Sequence, residues 1–152
     1  MLPIKFEVKK VIPKSSEEIC AQIADVARWN DFDGYLFLPG IAKAEYEKRT
    51  ETMIGSRIRV QNTDGSAHTE EIFAWNPAKT VMIKFTDFSP PLNRLASHFV
   101  EEWQFTAEGD STKVCRKFEL FPKNSFARPF LWLISCFLKK AIAQHLDKIS
   151  RS

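Results

Sequence analysis

Residues 126–149, FARPFLWLISCFLKKAIAQHLDKI, decide how the chain is read. At 100° per residue, Ala127, Leu131, Ile134, Leu138, Ala141, Ile142, His145 and Ile149 fall on one side of a helix. Trp132, Leu133 and Phe137 lie outside that stripe, so the helix carries more apolar surface than an ordinary surface helix. Its greasiest run, 126–138, is interrupted by Arg128 and Pro129 and falls short of the roughly 20 residues that a membrane span needs. Such a helix needs a broad apolar partner. A curved antiparallel sheet is one, and a sheet wrapped around a helix leaves an interior space beside it.

The preceding sequence supplies strands. Ile4, Phe6, Val8 and Ile12 alternate with polar residues up to Pro13. Ser15 with Glu18 three residues later is a capping box, and it opens a short helix predicted over Glu17 to Ala27. A second short turn or helix follows through Trp29 to Phe32. Strands are then expected over Ile41–Arg49, Arg57–Gln61, Thr69–Trp75, Val81–Phe88, Phe99–Phe105 and Lys113–Phe121, with a loop opened by Pro90-Pro91. Asp64-Gly65 and Glu108-Gly109-Asp110-Ser111 are turn signals between strands. With no repeat or linker, residues 1–152 read as a single α+β domain.

Composition narrows the function. Hydrophobic residues make up 44% of the chain, which is globular rather than disordered. Residues 113–152 hold nine Lys/Arg against Glu119 and Asp147; the rest holds 13 basic against 17 acidic residues. That basic end would suit an anionic membrane surface or an acidic partner, while no recognised nucleic-acid motif accompanies it. Cys20, Cys115 and Cys136 have no metal-ligand spacing and are expected as reduced thiols in a cytoplasmic protein. Residues 1–10 lack the apolar core of a signal peptide. Five glycines form no phosphate loop, and no serine sits on a Gly-rich elbow. No metal and no cofactor are expected.

The order of elements resembles the START-like, helix-grip superfamily, which includes polyketide cyclase/dehydratase-like proteins and plant pollen-allergen-type ligand carriers. The resemblance runs through Val11-Ile12-Pro13 with Ser16 to Ile19, Val26 to Phe32, Gly55-Ser56-Arg57, Glu71 to Pro77, Phe99 to Phe105 and Ser111 to Val114. It implies a seven-stranded antiparallel curved sheet around the C-terminal helix, two short helices after the first strand, and an apolar cavity between sheet and helix. It also implies a hydrophobic small-molecule partner such as a lipid, polyketide or aromatic compound. It transfers no catalytic residue.

Candidate residues follow from the strand pattern. If Phe105 faces Val114 across the Gly109 turn, Trp103 lies opposite Arg116 and Glu101 one diagonal step away. Inside a cavity, Glu101 and Arg116 could orient a polar ligand head, or Glu101 could act as acid or base; as a plain buried or rim salt bridge they would do neither. His145, within the helical stripe, could hydrogen-bond a ligand or relay a proton, or simply be tied to a backbone carbonyl. Trp29, Phe73, Trp75, Phe85, Phe118, Ile134 and Leu138 are candidate apolar lining. His68 and His98, near strand ends, carry little weight in this reading.

Three functions fit: a carrier or sensor of a hydrophobic small molecule; a cyclase- or dehydratase-type enzyme using Glu101 or His145; or a membrane-surface or protein-interaction module. The last would use Trp132, Leu133 and Phe137 with Lys139, Lys140 and Lys148. Ligand identity and oligomeric state are not readable from the residues.

Overall fold

The computed structural model describes all residues, Met1–Ser152. Strand β1 (Ile4–Ile12) is followed by α1 (Ser16–Ala24) and a 3-10 helix (Val26–Asp31). Then come β2 (Ile41–Lys48), β3 (Arg57–Asn62), β4 (Ala67–Asn76), β5 (Thr80–Thr86), a one-turn α2 (Leu92–Leu95), β6 (Ala96–Glu108), β7 (Ser111–Pro122) and α3 (Arg128–Arg151). The strands form one seven-stranded antiparallel sheet in the order β1-β7-β6-β5-β4-β3-β2. Consecutive strands from β2 onward are neighbours, and β1 closes on β7 with Ile4 opposite Leu120 and Val8 opposite Arg116. This is the helix-grip architecture.

Local chemistry explains the helix ends. Ser15 accepts from the Glu18 N–H while the Glu18 carboxylate accepts from the Ser15 N–H, so the capping box is formed in full. The helix stops at Ala24, earlier than its apolar pattern suggests, and the chain continues as the tighter 3-10 turn. That turn carries the Trp29 indole back to donate to the Ile23 carbonyl at 2.9 Å. The Pro90-Pro91 segment leads into α2 rather than an irregular loop.

The buried side of α3 consists of Leu131, Ser135, Leu138, Ala141, Ile142, Leu146 and Ile149. Leu146 and Ser135 extend the expected stripe, and Ile134 is only half-buried. Ser135 tolerates the interior because its hydroxyl donates to the Trp132 carbonyl one turn back. This face shares one hydrophobic core with Ile58, Val60, Ile72, Val81, Ile83, Val114, Phe118 and Leu120 from the sheet and with Ile19 and Ile23 from α1. Full burial of each such side chain stabilises by about 1.5–3 kcal/mol.

A β-bulge in β4 corrects the expected lining. Ile72 pairs with Ile83 and Ala74 with Met82, so Phe73 is the extra residue without a partner. Ile72 turns inward and is fully buried, whereas Phe73 is turned outward and 40% exposed. Beyond the bulge, Trp75 opposite Val81 regains the inner face and packs on the core.

Candidate functional site

Between α3 and the concave face of the sheet lies a cavity of about 520 Å³. Its walls are mostly apolar. Trp29, Phe85, Trp103, Phe118, Ile134 and Leu138 line it, as do Glu101, Arg116 and His145. Phe73 and Trp75 do not: the bulge sends the first outward, and the second packs on the core without reaching the cavity.

The β6–β7 register assembles the polar cluster. Phe105 faces Val114, Trp103 faces Arg116, and Glu101 faces Phe118. Arg116 Nε donates to Glu101 Oε2 at 2.8 Å, and its Nη2 donates to the same oxygen. Both side chains are almost wholly buried. The remaining edge of the guanidinium reaches His145, with Nη1 donating to Nδ1 at 2.9 Å. The guanidinium also lies over the Trp103 ring, 4.0 Å from its centroid. Two neighbouring strands and one long helix therefore converge on a single arginine.

Burial tunes these groups. Burial pushes the Glu101 carboxyl above its ordinary range, the nearby Glu70 adds to that, and Arg116 pulls it partly back. Burial, then the Arg116 and Lys148 cations, holds His145 down to about 3. His145 is thus a neutral imidazole. Arginine can only donate, so Nδ1 is the acceptor and Nε2 carries the proton. The Trp103 Nε1–H is buried beside the Glu101 carboxylate, whose value it helps to lower, yet makes no well-formed hydrogen bond to it, a costly state for a polar group.

Sequence reasoning missed His68. It lies within β4 rather than beyond it, on the same side of the strand as Glu70, and both line the cavity. Its Nε2 is 2.8 Å from Glu70 Oε2, and its ring stacks on Phe85 at 5.4 Å and 5°. Alternation of His68, Glu70 and Ile72 was the available signal. No cluster of side chains suited to a metal ion is present.

The mouth of the cavity runs beside the first half of α3. Phe37, Phe130, Leu133 and Phe137 line it, and Phe37 is 91% exposed. Leu133 and Phe137, expected on an outer patch, thus belong to the cavity. Lys148 is tied to Asp33 at 2.6 Å, and Lys140 lies over the Tyr35 ring. Trp132, which does not line the cavity, is exposed together with Lys139. No helix is long and apolar enough to cross a membrane.

A family model described as polyketide cyclase/dehydrase and lipid transport matches residues 3–152. No curated protein sequence matches. Among solved structures, the chain is similar to the Zhui aromatase/cyclase from Streptomyces sp. R1128, with a TM-score of 0.74 at 14% identity, covering 98% of this chain and 94% of that one. A START superfamily protein from Mycobacterium smegmatis aligns with a TM-score of 0.73 at 12% identity, over 97% of both chains. A major latex-like protein 151 from Panax ginseng aligns with a TM-score of 0.61 at 16% identity, over 95% and 98%. At these identities the likeness is one of fold.

Proposed function

The chain belongs to the polyketide cyclase/dehydrase and lipid-transport family, and from that premise we propose that it carries or senses a hydrophobic small molecule held between the sheet and α3. The observation that supports this reading is a mostly apolar cavity of about 520 Å³ whose buried charged groups, Glu70, Glu101 and Arg116, are held in pairs with His68 and with each other. Cavities of this size enclose most of a drug-sized ligand. Apolar burial at about 25 cal/mol per Å² supplies affinity without catalytic machinery. The polar cluster would set orientation.

Native mass spectrometry after gentle purification, with titration of the fluorescent probe 1-aminoanthracene, tests this. A co-purifying small molecule or a saturable single-site rise in fluorescence is expected. A protein that is empty and also fails to bind the probe would refute the reading.

A second reading, a cyclase- or dehydratase-type enzyme, is favoured by one observation. Burial holds Glu101 above its ordinary range inside the cavity, the direction that favours a carboxyl group as a proton donor. His145, neutral down to about 3, cannot serve as the acid at neutral pH and would instead donate a hydrogen bond from Nε2. On this reading Glu101→Gln abolishes turnover and leaves ligand affinity nearly unchanged.

A further inference from the structure

The cavity contains two sets of polar groups, and each is left incomplete by the protein. At one, Trp103 Nε1–H lies near the Glu101 carboxylate without making a well-formed hydrogen bond, and His145 presents Nε2–H because its Nδ1 is occupied by Arg116. Both are donors with capacity left for a ligand. At the other, Glu70 is 4% exposed and receives His68 Nε2 on Oε2 alone. Its second oxygen is an acceptor without a donor.

The second set is held rigidly. The His68 ring stacks on Phe85, has Phe88 at 6.1 Å, and has Asn62 Nδ2 3.5 Å from its Nδ1. With Nε2 against a carboxylate oxygen, that nitrogen carries a proton, so His68 can only donate to Glu70. The imidazole fixes where the carboxylate points.

Arg116, the obvious anion receptor, is already engaged. Its Nε and Nη2 go to Glu101 and its Nη1 to His145, so three of its five N–H donors and its charge are already engaged. A ligand carboxylate would also bring a third carboxylate beside Glu70 and Glu101, which share Arg116 as the buried cation of the cavity. The aromatic faces of Phe85, Phe99, Trp103 and Phe118 suit a flat ring system.

We propose that His68–Glu70 is a second ligand-binding station, which accepts a hydroxyl from an uncharged, flat hydroxy-ketone whose carbonyl oxygen takes the Trp103 and His145 N–H groups. This rests on the small-molecule reading given above and names its ligand class. Hydroxyl and carbonyl each complete a buried group that would otherwise be unpaired, which is where polar discrimination is strongest.

The test is displacement of 1-aminoanthracene from the full chain by three matched naphthalenes: 6-hydroxy-2-acetylnaphthalene, 2-acetylnaphthalene, which lacks the hydroxyl, and 6-hydroxy-2-naphthoate, which replaces the ketone with a carboxylate. The hydroxy-ketone is expected to compete about tenfold more tightly than either analogue, the factor one charge-assisted hydrogen bond supplies. In Glu70→Met the advantage over 2-acetylnaphthalene should fall to about unity, while 2-acetylnaphthalene itself binds as before. His68→Phe, which keeps the stacked ring, should reduce the advantage in the same direction if Glu70→Met does not fold. Equal competition by the hydroxy-ketone and 2-acetylnaphthalene in the unsubstituted protein overturns the station and leaves the carrier reading intact. Tightest binding by the naphthoate overturns the neutral ligand class. A protein that carries no co-purifying molecule and also fails to bind 1-aminoanthracene sinks the carrier reading and this proposal with it.

Discussion

The ion pair between Arg116 and Glu101 is lopsided: Nε and Nη2 both donate to Oε2, and no arginine nitrogen donates to Oε1. Both partners are buried, with side chains 6% and 3% exposed. Each charge therefore depends on the other to offset lost hydration. Arg116→Met should strand the Glu101 carboxylate and destabilise the fold by about 3–5 kcal/mol at neutral pH. Adding Glu101→Leu to that variant should recover much of the loss. Urea denaturation of the two variants decides the matter; a double variant no more stable than the single one would mean that the arginine acts through packing on Trp103.

Two buried groups give the protein opposed pH dependences. His145 is neutral when folded, with its value held at about 3 against an ordinary 6.5. Between those values the unfolded chain binds the extra proton, so stability falls as pH drops from 6.5 towards 3, by at most about 1.4 kcal/mol per pH unit. Glu101 acts the other way. Its raised carboxyl contributes stability that is present below 4.5 and is lost as pH climbs through its folded value. His145→Gln should therefore flatten the acid-side loss, and Glu101→Gln should flatten the decline above 4.5. Stability curves of the three proteins against pH check both signs. In the folded protein the His145 ring resonances should not move between about pH 5 and 8.

Much of the fold was legible because its signals are local. The Gly109 turn pins the β6–β7 register, so the facing of Phe105 with Val114 and Trp103 with Arg116 could be read from alternation alone. The bulge at Phe73 could not. Strict alternation puts Phe73 and Trp75 on one face, and only the pairing of Ile72 and Ala74 with successive β5 residues separates them. His68 was missed through an element boundary placed two residues late. Leu133 and Phe137 were assigned to an outer patch because a helical stripe does not show where a cavity opens beside it. The likeness in fold to an aromatase/cyclase and to a START protein adds nothing at the level of these residues.

The bulge supports a direct comparison of two phenylalanines. Phe73 is 40% exposed and outside the cavity, so Phe73→Ser should change stability by no more than about 0.5 kcal/mol and leave 1-aminoanthracene binding unaltered. Phe85 lines the cavity and carries the stacked His68 ring. Phe85→Ala should weaken probe binding and cost about 3 kcal/mol or more. Parallel thermal melts and probe titrations measure this, and equal effects of the two substitutions would place the cavity on the wrong side of β4.

Access to the interior is set by the segment between the 3-10 helix and β2. Phe37, on its exposed tip, meets Phe137 of α3 at 6.3 Å between ring centroids, and Tyr35 meets the same ring at 6.2 Å. The segment closes on itself through a two-way backbone pairing of Tyr35 with Leu38. Gly34 makes that closure possible. Its φ is +72°, and a Cβ there would lie 2.2 Å from the Leu38 carbonyl oxygen, with only backbone around it to give way. Gly34→Ala should therefore push the Tyr35–Leu38 turn away from Phe137 and widen the mouth. Because the cavity floor is untouched, association and dissociation of 1-aminoanthracene should both accelerate severalfold while its equilibrium affinity changes little. Stopped-flow fluorescence reads both rates. If they match those of the unsubstituted protein, ligands enter elsewhere, and the aromatic rim formed by Phe37 and Phe137 is not the gate.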